Sequence, residues 1–590
     1  MGCCASQPED SIATKAVQVE TNASTRTSKD RHTSYHSDVD NEHAGITTGL
    51  IHRADVKQMH HKYDTSKAAE LGHGACGSVI AVRRKDTGDM FAMKTVALDM
   101  VGAHNFDELR KEIDVQKKMD HPNIAKILEY FEDPKHGVMH IVMELCAGGS
   151  LVSRMKDHRH GYSERSAATL MERLLSAVTY CHHHGIVHRD IKLDNIMYES
   201  DSEESELKLI DFGFATEVRG SPLSRSLSPS HALSHRLTRR HAPRALQVKR
   251  GSESMFDQLG TPSYMAPELW SDRGPAYDSS VDVWAVGVVT YMLLCGRRPW
   301  DHPNRDEKRR MIRHDKLQFP SPAWDKISSE AKDFCESLLQ KRPADRLSAA
   351  DAVKHPWIRR SSNLKSGLDA AHEMLEHEEI FSSLTAYEHA DGLARLSLQV
   401  MAFATPPNKV EELRTMFHKI DTDDSGTISR EEFMDAMSAH PELPKERVEQ
   451  MFKALDFSGT GQIEYAEFIA ATLASQGSTK VSCKNSIQAA FTTLDVDHDG
   501  FITLKDLHDA FSGQIDDAVA ESLLKHRDAS YALRASNIDP APASRRYVRL
   551  HNLGTLCPDT RVTGLWCAPP LTAHTGAEST FRRSSALFSP

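Results

Sequence analysis

Five short motifs stand in a fixed order between residues 72 and 268, and this order constrains the fold more than any single motif does. They are G-x-G-x-x-G-x-V at 72–79, A-x-K at 92–94, H-R-D-x-K-x-x-N at 188–195, D-F-G at 211–213 and A-P-E at 266–268. A chance coincidence of all five is negligible. The stretch that contains them is therefore predicted to form one domain.

The motifs supply the groups that phosphoryl transfer needs. Glycines in the run 72–79 let backbone N–H groups approach nucleotide phosphates without a Cβ in the way. Lys94 is predicted on a strand, and Glu112 in the helical stretch 106–119 can pair with it and hold its ammonium group on the phosphates. The alternative interpretation of Lys94 is a solvent-exposed strand lysine without a catalytic role. The presence of the other motifs in the required order disfavours this interpretation.

At these residues the chain resembles the eukaryotic protein kinases, over about 63–358. The resemblance implies a bilobal fold with a small β-rich lobe and a larger helical lobe. It implies that Asp190 accepts or orients the proton of a substrate hydroxyl and that Lys192 neutralises the transferred phosphoryl group. Asn195 and Asp211 would hold magnesium.

The same resemblance implies a set of supporting positions. Thr261 would bond Asp190 and Lys192 below the substrate, and Lys192 and Thr261 together favour serine and threonine as acceptors. Asp282 would brace the catalytic loop, and Arg346 would pair with a glutamate of the A-P-E motif. The residues predicted to surround ATP are Leu71, Gly72, Gly74, Gly77, Val79, Ala92, Lys94, Met143, Glu144, Cys146 and Met197.

Several positions depart from the usual kinase pattern. Ser150 stands where basophilic kinases often carry a glutamate, and Gln116 occupies a position behind Glu112 that is usually apolar. The segment 218–252 lacks acidic residues, is rich in Arg, Ser, His and Pro, and is predicted to be a disordered insertion in the activation loop. A mistaken exon is the alternative there. These departures are the only support for a catalytically dead kinase fold.

Three twelve-residue segments opening at Asp421, Asp456 and Asp495 have the spacing of calcium loops, with oxygen ligands at odd positions, glycine at position 6 and a carboxylate at position 12. The second loop has hydroxyls at positions 3 and 5, which lowers its ligand charge, and Glu464 is expected to offset part of that loss. The third ends in an aspartate, whose shorter side chain reaches calcium less readily with both oxygens and therefore favours magnesium. The predicted ligands are Asp421, Asp423, Ser425, Thr427 and Glu432, then Asp456, Ser458, Thr460, Gln462 and Glu467, then Asp495, Asp497, Asp499, Phe501 and Asp506.

A kinase domain followed directly by EF-hands resembles the calcium-dependent protein kinases of plants and protists, over about 63–525. The resemblance makes 359–407 an autoinhibitory junction, whose apolar spacing predicts an amphipathic helix. This helix would block the substrate groove or lock the lobes at resting calcium, and the EF-hand domain at 408–525 would capture it when calcium rises. A fourth loop is missing, and 526–590 is predicted to be a disordered tail, with an alternative transcript or mistaken gene model as the other explanation.

The chain begins with M-G-x-x-x-[ST], in which Gly2 is the myristoylation site after methionine removal. Cys3 and Cys4 would take palmitate, because one myristoyl chain gives only marginal membrane binding. The alternative is an unmodified terminus. Residues 1–62 are therefore predicted to be an acylated, disordered segment. It would place the protein in the cytoplasm and at the cytoplasmic face of the plasma membrane or an endomembrane.

Composition narrows the remaining possibilities. A chain of 590 residues suits two or three domains plus tails, and its net charge of −11 argues against a nucleic-acid partner. Ten cysteines without a C-x-x-C pair, and no signal peptide, predict reduced thiols. The longest apolar run, at 283–295, is too short to span a bilayer and is predicted to be a buried helix. The protein is expected to be a monomer.

The sequence thus predicts an α+β protein, with a bilobal protein kinase fold followed by an all-α EF-hand domain. Its expected activity is calcium-activated transfer of the ATP γ-phosphoryl group to serine or threonine of protein substrates with basic residues near the target. The expected cofactors are ATP, Mg²⁺ and Ca²⁺. Two alternatives stay open: a calcium-responsive membrane scaffold with a dead kinase fold, and an enzyme also regulated by separate calmodulin through the junction.

Overall fold

The computed structural model describes most of the chain from Arg53 to Phe511 and a few residues beyond. The described ranges are 53–74, 77–98, 106–203, 205–217, 262–270, 278–361, 378–390, 392–440, 443–473, 490–491, 493–496, 499–511, 520, 524 and 547–549. The predicted acylation sites and the insertion at 218–252 lie outside these residues.

A six-stranded sheet forms the small lobe, in the order β1-β5-β6-β4-β3-β2. The elements are β1 (Arg53–Asp55), α1 (Val56–Lys62), β2 (Tyr63–Gly74), β3 (Gly77–Arg84), β4 (Met90–Ala97), α2 (Phe106–Lys117), β5 (Ile127–Asp133) and β6 (Val138–Met143). All neighbouring strands are antiparallel except β1, which runs parallel to β5. Tyr63, Val82 and Phe131 fill the core on one face of the sheet.

The predicted disordered segment 1–62 is wrong at residues 53–62, which belong to the small lobe. Strand β1 pairs with β5, and Met59 of α1 is buried against the sheet. Lys62 donates to Glu129 of β5 at 2.8 Å, beside the Tyr63 hydroxyl, which donates to the same carboxylate at 2.6 Å. Strand β1 pairs with a strand more than 70 residues further along the chain, and a local sequence period does not reveal such a partner.

Helices form most of the large lobe. They are α3 (Leu151–Arg154), α4 (Glu164–His183), α5 (Ser280–Cys295), α6 (Arg305–His314), α7 (Ser329–Leu338), α8 (Ala349–Val353) and α9 (Pro356–Ser361). Short strands β7 (Ile186–Val187), β8 (Ile196–Tyr198), β9 (Leu207–Leu209) and β10 (Thr216–Glu217) lie between α4 and α5. As predicted for the apolar run, α5 is buried on all sides. No helix among the described residues has the length and apolar character needed to cross a bilayer.

The C-terminal third contains the helices of the junction followed by the helices and loops of the calcium-binding hands. Its elements are α10 (Glu378–His389), α11 (Gly392–Ala404), α12 (Glu411–Ile420), β11 (Ile428–Ser429), α13 (Arg430–Ala436), α14 (Lys445–Leu455), β12 (Gln462–Ile463), α15 (Tyr465–Leu473), β13 (Phe501–Thr503), α16 (Leu504–Ala510) and β14 (Tyr547–Arg549). Antiparallel pairing of β11 with β12 joins the first two calcium loops, as expected when two hands share one core.

The predicted junction forms two helices, α10 and α11, rather than one. Their apolar side chains, including Leu384, Tyr387 and Leu396, are buried in the same core as the EF-hand helices. Inside this core the Gln399 amide donates to the Tyr387 hydroxyl at 2.8 Å. The described part of the junction is therefore packed into the core of the EF-hand region, and its autoinhibitory role stays a prediction.

The predicted disordered tail is wrong at Tyr547–Arg549. These residues form β14, which pairs antiparallel with β13 of the third calcium loop, with Ile502 opposite Val548. A loop strand without a neighbour leaves its backbone groups unpaired, and β14 satisfies them. The partner was not foreseen because the pairing depends on backbone hydrogen bonds and needs no calcium-loop motif.

The EF-hand region packs on both lobes of the kinase domain. Lys409 pairs with Asp89 of the small lobe at 2.7 Å, and the Ala466 backbone N–H donates to Asp120 at 2.6 Å. The Lys126 ammonium lies over the Tyr465 ring, 4.8 Å from its centroid. Small-lobe and EF-hand residues consequently share one apolar cluster.

Candidate active site and calcium loops

The turn between β7 and β8 brings together three predicted active-site residues. Lys192 Nζ lies 2.6 Å from Asp190 Oδ2, and Asn195 Nδ2 donates to the same oxygen at 3.0 Å and to the Asp190 carbonyl at 2.9 Å. The Asp190 carboxylate is buried at the bottom of this turn. One aspartate is thus held by a cation and an amide in a fixed orientation.

Asp282 of α5 braces this loop, as the sequence predicts. Its two carboxylate oxygens accept the backbone N–H groups of His188 at 2.9 Å and Arg189 at 2.8 Å, and His182 lies 3.0 Å away. Burial opposes ionisation, but these hydrogen bonds and the two histidines hold the pKa of Asp282 below its usual value. The loop needs this support because Arg189 has a positive φ of 68°.

Asp211 faces the active-site cleft directly after β9. Lys94 of β4 donates to its Oδ1 at 3.1 Å, and the next side chain, Phe212, is buried against the His188 ring at 4.6 Å between centroids. Burial raises the pKa of the Asp211 carboxyl, but the Lys94 charge outweighs it, and the net pKa is below the ordinary value. Glu112, the predicted partner of Lys94, lies in α2, but its side chain is outside the described residues.

Strands β3, β4 and β6 align the predicted ATP pocket. Val79 stands opposite Lys94, and Ala92 stands opposite Met143. Gly77 has φ 132°, and a Cβ there would lie 1.8 Å from the Thr95 carbonyl oxygen, so only glycine allows the loop to fold back on β4. Further predicted positions of this pocket fall at the end of β2 (Leu71, Gly72, Gly74), just after β6 (Glu144, Cys146) and on β8 (Met197).

These residues fit ATP and magnesium by their chemistry. A carboxylate with a lowered pKa and a lysine ammonium meet at the inner end of the cleft, and both side chains keep about a quarter of their surface exposed. Asn195 and Asp211 would hold the metal, which prefers oxygen ligands. Thr261 lies outside the described residues, although the predicted pair just beyond it is present, with Arg346 bidentate to Glu268 at 2.7 Å on both oxygens.

The two unusual residues in the kinase domain leave no buried polar group without a partner. Gln116 is buried, and its amide donates to the Ala125 carbonyl at 2.7 Å. Ser150 caps the N-terminus of α3 by accepting the Ser153 N–H. Both are therefore compatible with an intact fold and with the active-site geometry described above.

The first calcium loop brings its predicted carboxylates together. One oxygen each from Asp421, Asp423 and Glu432 lies within 4.8 Å of the others. Asp421 also accepts the N–H groups of Ser425 and Gly426, each at 2.9 Å. Burial and the neighbouring carboxylates raise the pKa of Asp421 well above its usual value. A divalent cation would relieve this repulsion, so the loop fits calcium. Thr427, the remaining predicted ligand, is buried within the same loop.

The second loop has the same backbone arrangement with fewer carboxylates. Asp456 accepts the N–H groups of Thr460 and Gly461 at 2.9 Å, and Glu467 accepts that of Ser458 at 2.8 Å. Burial raises the pKa of Glu467 to about 8. Gln462, another predicted ligand, pairs through β12 with the first loop.

The Glu464 carboxylate accepts the Tyr180 hydroxyl of α4 at 2.9 Å, a contact with the kinase domain that was not predicted. Its expected compensation for the lower ligand charge of the second loop stays a prediction. The first loop also contacts the kinase domain, where Arg359 lies 3.9 Å from the Asp424 carboxylate. Tyr180 and Arg359 were not predicted, since neither belongs to a motif and each meets its partner only in the folded chain.

The third loop is described in part. Asp495 accepts the N–H groups of Asp499 at 3.2 Å and Gly500 at 3.0 Å. Asp506 accepts the Thr503 N–H at 2.9 Å and closes a capping box at the start of α16. Phe501, a predicted backbone ligand, lies in β13, whereas Asp497 is outside the described residues.

Comparison with known proteins agrees with this arrangement. Residues 65–358 match the protein kinase domain, 410–473 an EF-hand domain pair, and 487–512 a further EF hand. The chain is 30% identical over 501 residues to calcium-dependent protein kinase 17 of Arabidopsis thaliana, covering 82% of this chain and 86% of that protein. It is 29% identical over 469 residues to calcium-dependent protein kinase 5 of Plasmodium falciparum, covering 78% and 74%.

Proposed function

Because this chain belongs to the calcium-dependent protein kinase family, we propose that Asp190, Lys192, Asn195 and Asp211 carry its phosphoryl transfer. The observation that supports this most is the convergence of Lys192 and Asn195 on one oxygen of Asp190. ATP supplies the phosphoryl group when bound, with magnesium as its counterion. The activity depends on calcium, which the EF-hands bind.

Each residue has a role that its position supports. Asp190 orients a substrate hydroxyl and takes up its proton. Lys192, which lies 2.6 Å from that carboxylate, offsets the negative charge that develops on the transferred group. Lys94 orients the nucleotide phosphates, and Asn195 and Asp211 hold the metal. Glu112 and Thr261 complete the proposed set through Lys94 and Asp190.

Phosphate transfer to a basic peptide tests this assignment, with and without calcium, in the wild type, Asp190→Asn and a control, Asp157→Asn. Asp157 is exposed and lies outside the active-site turn. We expect calcium-stimulated transfer in the wild type and the control, and a loss of at least about 10²-fold in Asp190→Asn. Phosphate transfer at the same rate with and without calcium would contradict the regulatory role of the EF-hands. Equal activity in all three proteins would contradict the role of Asp190.

A calcium-responsive scaffold with a dead kinase fold is the alternative function. Ser150 and Gln116 are its support within the described residues, and both side chains have hydrogen-bond partners that leave the cleft intact. Wild-type protein that binds ATP but transfers no phosphate at any calcium concentration would favour the scaffold.

Membrane attachment is a separate part of the proposal. Gly2, Cys3 and Cys4 form a dual acylation site, which places the kinase at the cytoplasmic face of a membrane, plasma membrane or endomembrane, with a cytoplasmic pool. Gly2→Ala should abolish the membrane-bound fraction in cells, and Cys3→Ser with Cys4→Ser should leave only weak, reversible binding. Unchanged fractionation in Gly2→Ala would contradict this part.

The partners follow from the same reasoning. We expect protein substrates with basic residues near the target serine or threonine, no nucleic-acid partner, and a monomeric enzyme. A peptide library assay and sedimentation of the full-length protein test these points directly.

A further inference from the structure

A buried row of four charges connects the EF-hand region to the nucleotide cleft. Glu144 follows β6 at the hinge between the lobes, and its carboxylate lies 2.9 Å from Lys208 Nζ on β9. The same ammonium lies 3.4 Å from Glu199, whose Oε1 lies 2.6 Å from Nη1 of Arg414 on α12. The order is therefore Glu144, Lys208, Glu199 and Arg414, with alternating sign.

The burial of this row makes each pairing matter. The side chains of Lys208 and Arg414 are only 2% and 4% exposed, and those of Glu144 and Glu199 are 9% and 12% exposed. Charges removed from water to this degree are costly unless they are paired. Burial disfavours the Lys208 ammonium, but Glu144 and Glu199 outweigh it and raise its pKa, which keeps Lys208 in its charged form.

This row of charges contacts two parts of the nucleotide cleft: the hinge at Glu144 and the β8–β9 pair. The Glu144 carboxylate also accepts the Lys126 N–H at 3.2 Å, and the Glu144 N–H donates to the Lys126 carbonyl at 3.0 Å, which fixes the hinge. Lys208 stands opposite Met197 in the β8–β9 pair and three residues before Asp211. Movement of Lys208 would therefore displace the hinge relative to Met197, which is predicted to contact ATP, and to Asp211, a predicted metal ligand.

We propose that Arg414 is a positioning residue for the nucleotide. Docking of α12 places the guanidinium on Glu199, which leaves the Lys208 ammonium committed to Glu144 and holds the hinge against the β8–β9 pair. Without Arg414, two carboxylates compete for one ammonium in a buried site, and the hinge contact loosens. The EF-hand region then influences nucleotide binding through the Arg414–Glu199 contact, which is separate from the junction. This inference rests on the proposed placement of ATP in the cleft.

Steady-state kinetics of the full-length protein at saturating calcium test the proposal. Arg414→Met keeps the apolar stem and removes the charge, Arg414→Lys restores a cation, and Arg447→Met is the matched control. Arg447 makes an ion pair of the same length, 2.6 Å, with Glu388 inside the regulatory region. We expect a KM for ATP about tenfold higher in Arg414→Met, with kcat and the peptide KM within about twofold, partial recovery in Arg414→Lys, and a wild-type KM for ATP in Arg447→Met.

Two further measurements keep the result interpretable. Adding Glu199→Gln to Arg414→Met removes the competing carboxylate, so the double variant should recover a KM for ATP near that of the wild type, because Glu144 is then the acidic partner left to Lys208 in this row. If calcium favours docking of α12, ATP binding and calcium binding must strengthen each other. A non-hydrolysable ATP analogue should then raise the calcium affinity of the wild type, and raise that of Arg414→Met by a smaller factor.

An unchanged KM for ATP in Arg414→Met overturns the proposal, as does an equal rise in Arg447→Met or a double variant Arg414→Met/Glu199→Gln with a KM no lower than that of Arg414→Met. If any of these results comes with calcium-dependent wild-type activity that Asp190→Asn loses, the proposed function stands and only the role of Arg414 fails.

Discussion

Gly426, the sixth residue of the first calcium loop, offers a sharp test of how that loop meets the kinase domain. It has φ 85°, and a Cβ at this position would lie 2.3 Å from His121 Cδ2 and 2.9 Å from Tyr180 Cδ2. Gly461, the sixth residue of the second loop, has φ 83° and open space within 4 Å of its Cβ position. The two glycines thus share a backbone conformation and differ in what surrounds them.

Substitution by alanine separates loop strain from docking. The left-handed backbone costs about 1–2 kcal/mol in either loop. Only Gly426→Ala adds an overlap with buried kinase side chains, for which overpacking costs of about 1–3 kcal/mol are typical. This extra cost lowers the equilibrium constant for docking of the EF-hand region by about 5- to 150-fold relative to Gly461→Ala.

Hydrogen exchange of the full-length variants measures this difference, with calcium occupancy matched by titration. Peptides covering 119–126 and 176–184 on the kinase domain should exchange faster in Gly426→Ala than in Gly461→Ala. The kinase domain itself is unaltered in both proteins, so altered exchange at these peptides reports the lost contact. Equal protection in the two variants would falsify the assignment of the first loop as a docking element.

Three further perturbations have defined outcomes. Tyr180→Phe removes the donor to Glu464 and should destabilise the docked state by about 1–3 kcal/mol, measured by urea unfolding in calcium; an unchanged midpoint contradicts the contact. Arg346→Ala leaves Glu268 unpaired and should cost about 3–5 kcal/mol, visible as a lower Tm, whereas a Tm equal to wild type argues against it. Burial and nearby cations lower the pKa of His418 well below 6.5, so the unfolded state binds a proton more readily than the folded state. The free energy of unfolding should therefore fall as the pH drops below about 6.5, which is tested by comparing urea midpoints at pH 7.5 and 5.5. The midpoint of His418→Gln should depend less on pH.

Much of the active site could be predicted because its residues lie close together in sequence. Asp190, Lys192 and Asn195 lie within six consecutive positions, and one turn brings their side chains together. The calcium loops are predictable for the same reason, since twelve residues contain all their ligands. The contact between Asp282 and the catalytic loop spans about 90 residues, and it was predictable only by resemblance to a known fold.

Other features could not be predicted, because their partners are distant and their own patterns are weak. Strand β1 and helix α1 become ordered through β5, and β14 becomes ordered through β13. Glu464 stands at position 9 of its loop, and its contact with the Tyr180 hydroxyl joins positions 284 residues apart, so no local spacing predicts it. In each case the partner lies far away in the sequence.

By itself, the sequence determined the chemistry of this protein: phosphoryl transfer from ATP, calcium binding, and the order of the domains that perform them. These follow from short motifs, in which the spacing along the chain sets the distance between side chains. Only the tertiary structure decided where the EF-hand region docks and which residues it uses. The pairs Tyr180–Glu464 and Glu199–Arg414 join positions more than 200 residues apart. Their stability comes from shared burial, which no local pattern encodes.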